Sequence, residues 1–458
     1  MKKKFLKYFI MCTAIILFMS SASKASTYSI PVWSNQTSNS FNTDSVLTNS
    51  KPSKTNKADN TTKPNNPTNA NNTNKSNDST KNVNAKPTPK LDTSLAVTNN
   101  PLKLSSGGAI LIEQNTGKVL YDYNMHAKLR PASVTKVMTI LLIMEAIDSG
   151  RISYTDKVPC SSEASSMGGS QIWLDSTEEL TVNDMLKAIC VVSANDCTFA
   201  MAEYLEGSEE AFVKKMNEKA KELGMNDTCF KNCHGIDEDG HVTSPYDIAI
   251  MSRELLVKHP SITKYTTIYM DSLRDGKSEL VNTNKLVRNY DGCTGLKTGS
   301  TSLALFNLSA SATRNGLSLI AVVMKGKTSS ERFTEARKLL DYGFSNFQYK
   351  DLGKAGDIVG SANVNKGIES SVQATLQSNL GAVMKKSNDT KLSQKAEIYN
   401  NINAPVSKGQ KIGEFIVSLN NKEIAKSDII AANDVYKYSF SSMVQKVFTS
   451  WFSLLREQ

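Results

Sequence analysis

Three short polar motifs follow one another along this chain of 458 residues. They are Pro131-Ala-Ser133-Val-Thr-Lys136, Ser193-Ala-Asn195 and Lys297-Thr-Gly299. The S-x-x-K pattern decides little by itself, because it also begins at Ser21 and Ser261. The order and wide separation of the three motifs are more informative. They require a fold that brings distant parts of the chain to one groove.

The first motif opens a strongly apolar segment. Its apolar residues recur at helical spacing as far as Ile147, and the segment ends at Ser149-Gly150, which predicts a buried helix with a glycine stop. Because residues three apart share a helical face, we expect the Lys136 amine beside the Ser133 hydroxyl. The N–H groups of the helix N-terminus would face a developing negative charge. The pattern is typical of a serine nucleophile whose base is a lysine.

The other two motifs supply the remaining polar groups. A lysine is a base only when neutral, whereas a free amine has a pKa of about 10.4. Desolvation and a nearby cation both lower that pKa, and Lys297 is the candidate cation. It precedes two apolar runs joined by Asn315-Gly316, which predict a buried hairpin. Ser193 and Asn195 lie between two apolar helical segments, where they can relay a proton and hold a peptide oxygen. Alone, a Ser-x-Asn is more often a helix cap.

Longer phrases around these motifs resemble the serine-type D-alanyl-D-alanine carboxypeptidases, the low-molecular-mass penicillin-binding proteins of peptidase family S11. The resemblance runs from about Lys103 to Gln458, and its main segments are 107–113, 116–121, 130–139, 193–197, 223–225, 234–235, 241–243, 295–299 and 309–316. It implies an α/β (α+β) transpeptidase domain of the penicillin-binding and β-lactamase type, with an antiparallel sheet and helices. A small all-β domain and a C-terminal amphipathic helix would follow.

The resemblance also implies roles for individual residues. The implied catalytic residues are Ser133 as nucleophile, Lys136 as its proton acceptor, Ser193 and Asn195. The implied substrate-binding residues are Lys297, Thr298, Gly299, Ser300 and Arg332. The backbone N–H groups of Ser133 and Ser300 would form the oxyanion hole. The implied reaction removes the terminal D-alanine from peptidoglycan stem pentapeptides through a Ser133 acyl-enzyme. β-Lactam antibiotics would inhibit it by acylating the same serine, and no cofactor is implied.

Composition divides the chain into five segments. Residues 1–25 combine lysines, an apolar stretch and small residues before Ala25, which predicts a signal peptide. Residues 26–102, rich in Asn, Thr, Lys, Ser and Pro, predict a disordered linker. We expect the catalytic domain at 103–345, the β domain at 346–436 and an anchoring helix at 437–458. The protein would then be exported, to the outer face of the bacterial cytoplasmic membrane or the cell envelope.

The last segment carries an apolar stripe at helical spacing. The stripe consists of Phe440, Met443, Val444, Val447, Phe448, Trp451, Phe452, Leu454 and Leu455. At about 1.5 Å per residue the helix is about 24 Å long, shorter than a bilayer span. We expect it to bind the membrane surface; a core helix or a dimer contact is the alternative. The formal net charge of +10 lies partly in the signal and linker, so it does not indicate nucleic-acid binding.

Cysteine usage leaves the redox state open. Six of the seven cysteines follow the signal segment, and this number permits disulfides without requiring them. Cys229, Cys233 and His234 resemble metal ligands, but no second cluster in the sequence completes a tetrahedral site, so we expect no metal.

Two alternative functions remain. A class A β-lactamase shares the three motifs but needs a glutamate to activate the deacylating water, and Glu222-Leu-Gly-Met-Asn226 fits that requirement only superficially. A non-catalytic cell-wall-binding protein that kept the fold is the other. The absence of H-E-x-x-H and G-x-S-x-G from the sequence argues against a zinc peptidase and an α/β-hydrolase.

Overall fold

An antiparallel sheet of five strands supports the residues of the three motifs. The computed structural model describes residues 90–386 and 391–454. The strands before residue 327 are β1 (Gly108–Glu113), β2 (Val119–Tyr123), β3 (Lys157–Pro159), β4 (Glu179–Thr181), β5 (Met270–Leu273), β6 (Ser278–Val281), β7 (Cys293–Thr301), β8 (Leu305–Arg314) and β9 (Leu317–Gly326). The sheet has the order β2-β1-β9-β8-β7, whereas β3 pairs with β4 and β5 with β6.

The hairpin predicted around Asn315-Gly316 is confirmed. β8 and β9 pair antiparallel, and their register brings Arg314 opposite Leu317. Asn315 and Gly316 both have positive φ, at 49° and 79°. Two consecutive left-handed residues form the turn that matches the twist of two paired strands, and Asn-Gly is the pair that adopts it most readily.

Helices cover both faces of the sheet. A 3₁₀ turn, Ala132–Thr135, precedes the first of them. The helices of this domain are α1 (Lys136–Asp148), α2 (Ser162–Ser165), α3 (Val182–Val191), α4 (Asn195–Glu206), α5 (Glu209–Glu222), α6 (Pro245–Lys258), α7 (Thr263–Thr266), α8 (Leu286–Asn289) and α9 (Ser329–Asn346); a second 3₁₀ turn is Pro260–Ile262.

Alternate residues of β1 enter two different cores. Ile110 and Ile112 pack with the buried residues of α1, α3 and α6. Ala109 and Leu111 pack on the opposite face, with α9 residues such as Leu339. Because side chains alternate across a strand, one sheet buries two apolar surfaces. Helix α1 is almost entirely buried in the first core, which explains why its sequence is apolar all round.

A separate all-β domain follows α9, as the resemblance implied. Its strands are β10 (Phe347–Gly353), β11 (Ile358–Asn365), β12 (Ser371–Leu376), β13 (Leu380–Lys385), β14 (Leu392–Ile398), β15 (Ile402–Asn403), β16 (Lys411–Leu419) and β17 (Lys422–Ala431). β10 pairs with β13, and the other six form one sheet with the order β14-β16-β17-β12-β11-β15. These strands enclose a third apolar core.

The folded part of the chain begins earlier than the sequence predicts, and the predicted last helix is present. Residues 91–102, expected in the linker, belong to the folded domain: Leu91 is buried in the first core, and Val97 bridges to Tyr121. The predicted signal peptide and the rest of the linker, residues 1–89, lie outside the described residues. The last helix, α10 (Phe440–Leu454), is present. Within the described part of the chain, every helix is too short or too polar to cross a membrane.

Candidate active site

Ser133 lies in the 3₁₀ turn that leads into α1. The turn spans Ala132–Thr135, and α1 begins at Lys136. Ser133 keeps partial exposure, whereas Ala132 and Val134 on either side of it are buried. The turn is held by its own contacts, because the Thr135 hydroxyl donates to the Ala132 oxygen at 2.8 Å. The candidate nucleophile is therefore partly accessible to solvent, and the backbone that carries it is held in place by hydrogen bonds.

The Lys136 amine is completely buried beside Ser133. Its Nζ lies 3.0 Å from Ser133 Oγ, 2.6 Å from Asn195 Oδ1 and 2.7 Å from the His234 main-chain oxygen. Burial, and after it the charge of Lys297, hold the pKa of Lys136 well below its usual range. A neutral amine has two N–H bonds and a lone pair. With the N–H bonds donated to Asn195 and His234, the lone pair is left to accept the Ser133 hydroxyl proton.

The second motif joins α3 to α4. Asn195 is the first residue of α4, and besides meeting Lys136 its Nδ2 donates to the Gly168 oxygen at 2.6 Å. Its main-chain N–H donates to the Ser170 main-chain oxygen at 2.7 Å. Ser193 has φ of 67°, and its buried hydroxyl has no hydrogen-bond partner among the described residues. A buried hydroxyl costs free energy when unpaired, so this one is available to a bound group.

Strand β7 carries the third motif along the nucleophile turn. Lys297 is 1% exposed, and its Nζ donates to the Thr298 oxygen at 3.0 Å. No ion pair joins Lys297 to an acidic side chain in the described ranges. Burial lowers its pKa to about 7, with a smaller contribution from Arg332. Thr298 donates its hydroxyl proton to Thr283 at 2.8 Å, and Ser300 is exposed.

The absence of a side chain at Gly299 lets β7 approach the nucleophile turn. A Cβ at this position would lie 2.9 Å from Ser133 N and from Pro131 O and 2.8 Å from Val134 N. Such distances are too short for carbon against main-chain atoms, so only glycine fits here. The structure therefore brings the first and third motifs into direct main-chain proximity.

Arg332 lies beneath β7. It is 7% exposed, and its Nη1 donates to the Gly299 oxygen at 3.0 Å and to the Asn307 oxygen at 3.2 Å. The guanidinium also lies over the rings of Phe306 and Phe333. Burial lowers the pKa of Arg332 to about 10. In this structure Arg332 holds the strand that carries the third motif.

Family comparisons agree with this geometry. A model of the D-alanyl-D-alanine carboxypeptidase family matches residues 95–328. A model of the penicillin-binding protein 5 C-terminal domain matches residues 347–437. The D-alanyl-D-alanine carboxypeptidase DacF of Bacillus subtilis is 45% identical over 347 residues, which cover 75% of this chain and 89% of that protein. This chain belongs to the D-alanyl-D-alanine carboxypeptidase family.

More distant members of the family have the same domain arrangement. The carboxypeptidase DacA of Haemophilus influenzae is 32% identical over 347 residues, covering 73% of this chain and 86% of that protein. The solved structure of penicillin binding protein 5 from Haemophilus influenzae has a TM-score of 0.66 at 31% sequence identity, and covers 74% of this chain and 100% of that chain. The implied fold, a sheet-and-helix domain followed by a β domain, is confirmed.

Two groups next to the site have no role in the predictions from the sequence. One is the His234 main-chain oxygen, the third partner of Lys136. The other is Gly235, which has φ of 92° and packs on the Ala132 carbonyl. Neither is a reactive side chain, so no chemical signal in the sequence pointed to them. The only sign of them was that His234-Gly235 is among the phrases shared with the family.

We expect Gly235→Ala to disable the site. The new Cβ would lie 2.0 Å from the Ala132 oxygen and 2.9 Å from Ser133 N, so the nucleophile turn must move. Gly240→Ala is the matched control, because Gly240 also has positive φ, at 82°, but its Cβ would meet only the Lys231 side chain at 3.2 Å. Left-handed strain costs about 1–3 kcal/mol in either variant.

Two measurements separate displacement of the nucleophile turn from general backbone strain: the rate of labelling by a fluorescent penicillin and the melting temperature. Both variants should melt lower, but only Gly235→Ala should label slowly. Equal labelling rates in the two variants would contradict the assignment of Gly235 to the nucleophile turn.

Proposed function

We propose that this protein removes the terminal D-alanine from peptidoglycan stem pentapeptides through an acyl-enzyme on Ser133. The observation that carries the proposal is the contact of 3.0 Å between the buried Lys136 amine and the Ser133 hydroxyl. A desolvated amine that is neutral near pH 7 is a competent general base for a serine. The membership of the chain in the carboxypeptidase family supports the substrate class.

The reaction proceeds in two steps. Ser133 Oγ gives its proton to Lys136 and bonds to the carbonyl carbon between the two D-alanines, with the negative oxygen facing the N–H groups of Ser133 and Ser300. Lys136 then returns the proton, relayed by Ser193, to the nitrogen of the departing D-alanine as the peptide bond breaks. Water next attacks the ester carbon and gives a proton to Lys136, which passes it to Ser133 Oγ as the ester bond breaks, so the shortened stem peptide leaves as a carboxylic acid.

Four further residues hold the substrate. The Lys297 ammonium and the Thr298 hydroxyl bind the terminal carboxylate, for which a buried cation that has no acidic partner among the described residues is suited. Asn195 binds the peptide oxygen of the stem, and the edge of β7 at Gly299 accepts the extended substrate backbone. Arg332 supports this subsite through the Gly299 oxygen. A β-lactam that resembles the D-Ala-D-Ala peptide enters the same groove and acylates Ser133, and its bulky acyl group delays water.

The alternative functions lack structural support. Glu222 ends α5 and is exposed, and its carboxylate pairs with Lys219 at 2.8 Å, so it does not resemble a buried deacylating base. The polar side chains of all three motifs are present, Lys136 is in contact with Ser133 and Asn195, and Gly299 brings the third motif against the Ser133 turn. This arrangement argues against a non-catalytic wall-binding protein.

Ser133→Ala tests the proposal. It removes the only nucleophile in the scheme, so release of D-alanine from a peptide ending in D-Ala-D-Ala should fall by a factor on the order of 10⁴ or more. Covalent penicillin labelling should disappear as well. Ser261→Ala is the control, because Ser261 begins another S-x-x-K sequence and is exposed. Mass spectrometry of the penicillin-treated protein locates the modified residue. Penicillin turnover faster than D-alanine release would favour a β-lactamase, and a labelled Ser133→Ala protein would exclude the mechanism.

The two lysines predict the pH dependence of kcat/KM. Acylation needs neutral Lys136 and protonated Lys297, and the pKa of Lys297 in the free protein is about 7. As pH rises through 7, Lys297 loses the charge that binds the carboxylate, so kcat/KM for the peptide should fall. Lys297→Arg keeps the charge at high pH and should move this alkaline limb upward, whatever its effect on the maximum. An alkaline limb at the same pH in both proteins would assign it to another group.

We also propose that α10 binds the membrane surface after export. Its large apolar side chains are exposed: Phe440 86%, Met443 60%, Val447 66%, Phe448 51%, Trp451 58% and Phe452 62%. A helix of 15 residues is about 22 Å long and suits an interfacial position better than a span. The protein would then act at the outer face of the cytoplasmic membrane, where peptidoglycan precursors are joined.

Deletion of residues 437–458 from the mature protein should abolish co-sedimentation with vesicles of phosphatidylglycerol and phosphatidylcholine. Release of D-alanine from a soluble peptide should not change, because the hydrogen bonds of Lys136, Lys297 and Thr298 involve no α10 residue. Gln445→Ala is the control on the same helix. Unaltered vesicle binding by the truncated protein, or a change from dimer to monomer without any vesicle binding, would disprove the anchor.

A further inference from the structure

Asn307 lies in β8, outside the three motifs, and is fully buried. Its Nδ2 donates to the main-chain oxygens of Arg130 and Pro131, at 2.9 Å in each case. Its Oδ1 accepts from the Lys325 main-chain N–H at 2.7 Å. One amide thus joins two strands of the sheet to the residues that immediately precede the Ser133 turn.

The main chain of Asn307 contacts the third motif. Asn307 is paired with Gly299 across β7 and β8, and Arg332 donates from one nitrogen to the main-chain oxygens of both residues. Gly299 in turn lies against Ser133 N and Pro131 O. The Asn307 side chain therefore holds the start of the nucleophile turn. Arg332, which bonds the Asn307 main-chain oxygen, holds β7, the strand that this turn faces.

We propose that Asn307 is a positioning residue for acylation, which sets the distance between the Ser133 turn and β7. It touches neither the reacting atoms nor the substrate in the proposed mechanism, on which this inference rests. Its effect passes through the oxygens of Arg130 and Pro131. Displacement of a nucleophile by about 1 Å can lower a rate about 100-fold. The oxyanion hole is especially sensitive, because it combines one N–H from the turn with another from β7.

The hydrogen-bonding groups of the Asn307 side chain fit a positioning role better than a role in general core packing. Two neighbouring carbonyl oxygens need N–H donors, and one backbone N–H needs an acceptor, all within reach of one short side chain. Asparagine supplies both donors and the acceptor on a planar group. A hydroxyl would satisfy fewer of these groups. A carboxylate would place negative charge against the two carbonyl oxygens and push the segment at 130–131 away from β8.

The experiment compares Asn307→Asp and Asn307→Ser with the wild type, measuring penicillin acylation at several drug concentrations. This separates the dissociation constant of the initial complex from the rate constant of acylation. Because Lys297 and Thr298 remain in place, we expect the dissociation constant to change less than 3-fold and the acylation rate constant to fall 30- to 100-fold. Each measurement is made at least 15 °C below the melting temperature of the variant.

Asn217→Asp is the matched control. Asn217 also donates to two main-chain oxygens, those of Val213 and Phe230, and accepts from Phe230 N, but it lies on α5 outside the motifs. It should lower the melting temperature and leave the acylation rate constant unchanged. A purely structural Asn307 would give the same result as Asn217.

Acylation of Asn307→Asp and Asn307→Ser at the wild-type rate would overturn the inference. So would failure of both variants to fold, since the amide would then be assigned to stability alone. Failure of the proposed function can be distinguished from failure of this inference, because in the first case penicillin would not label Ser133 of the wild-type protein. Slow acylation by both folded variants, with a normal Asn217→Asp protein, supports the positioning role.

Discussion

The contact between Lys136 and Ser133 requires a buried lysine amine to remain neutral. A buried ammonium is costly unless it is paired, and a buried neutral amine still needs partners for its N–H bonds. The fold supplies them from two separate segments, the Asn195 side chain at the start of α4 and the His234 main-chain oxygen. Helix α1 is apolar on nearly every side, which excludes water from this group.

A second requirement is that β7 approach the nucleophile turn closely. Gly299 permits that approach because any Cβ would collide with main-chain atoms of the turn. Asn307 and Arg332 fix the position of β7 and of the turn, because their hydrogen bonds hold carbonyl groups of β7, β8 and the segment before Ser133. The groove between the first and third motifs therefore has rigid walls. In the proposed mechanism this rigidity preorganises the oxyanion hole.

The sequence predicted the parts of this structure that depend on local pattern or on reactive side chains. Apolar periodicity indicated α1, Asn315-Gly316 indicated the β8–β9 hairpin, and the motif order indicated that Ser133, Lys136 and Asn195 meet. It implied main-chain N–H groups for the oxyanion hole but did not predict the main-chain oxygen that bonds to Lys136. The His234 oxygen carries no residue-specific signal, because any residue could offer it.

Two other features of the structure were not predicted from the sequence, for related physical reasons. Asn307 resembles an ordinary polar residue in an apolar strand, and its importance depends on carbonyl groups far away in the sequence. The folded domain begins earlier than the sequence predicts, because residues 91–102 form no helix or strand whose periodicity would mark them as part of the domain. Their apolar residues, such as Leu91 and Val97, attach them to the domain through packing and an isolated bridge, and such irregular contacts leave no pattern in the sequence.

The two buried lysines explain how one charge can serve both binding and catalysis. In the free protein, Lys297 has no anionic partner among the residues described, and its charge lowers the pKa of Lys136. In the proposed complex, the substrate carboxylate neutralises much of that charge, so the pKa of Lys136 rises. Lys136 is therefore kept neutral until the substrate arrives, and becomes a stronger base when the Ser133 proton must be removed. A cation paired permanently with a protein carboxylate would lack this effect, because its field at Lys136 would already be cancelled.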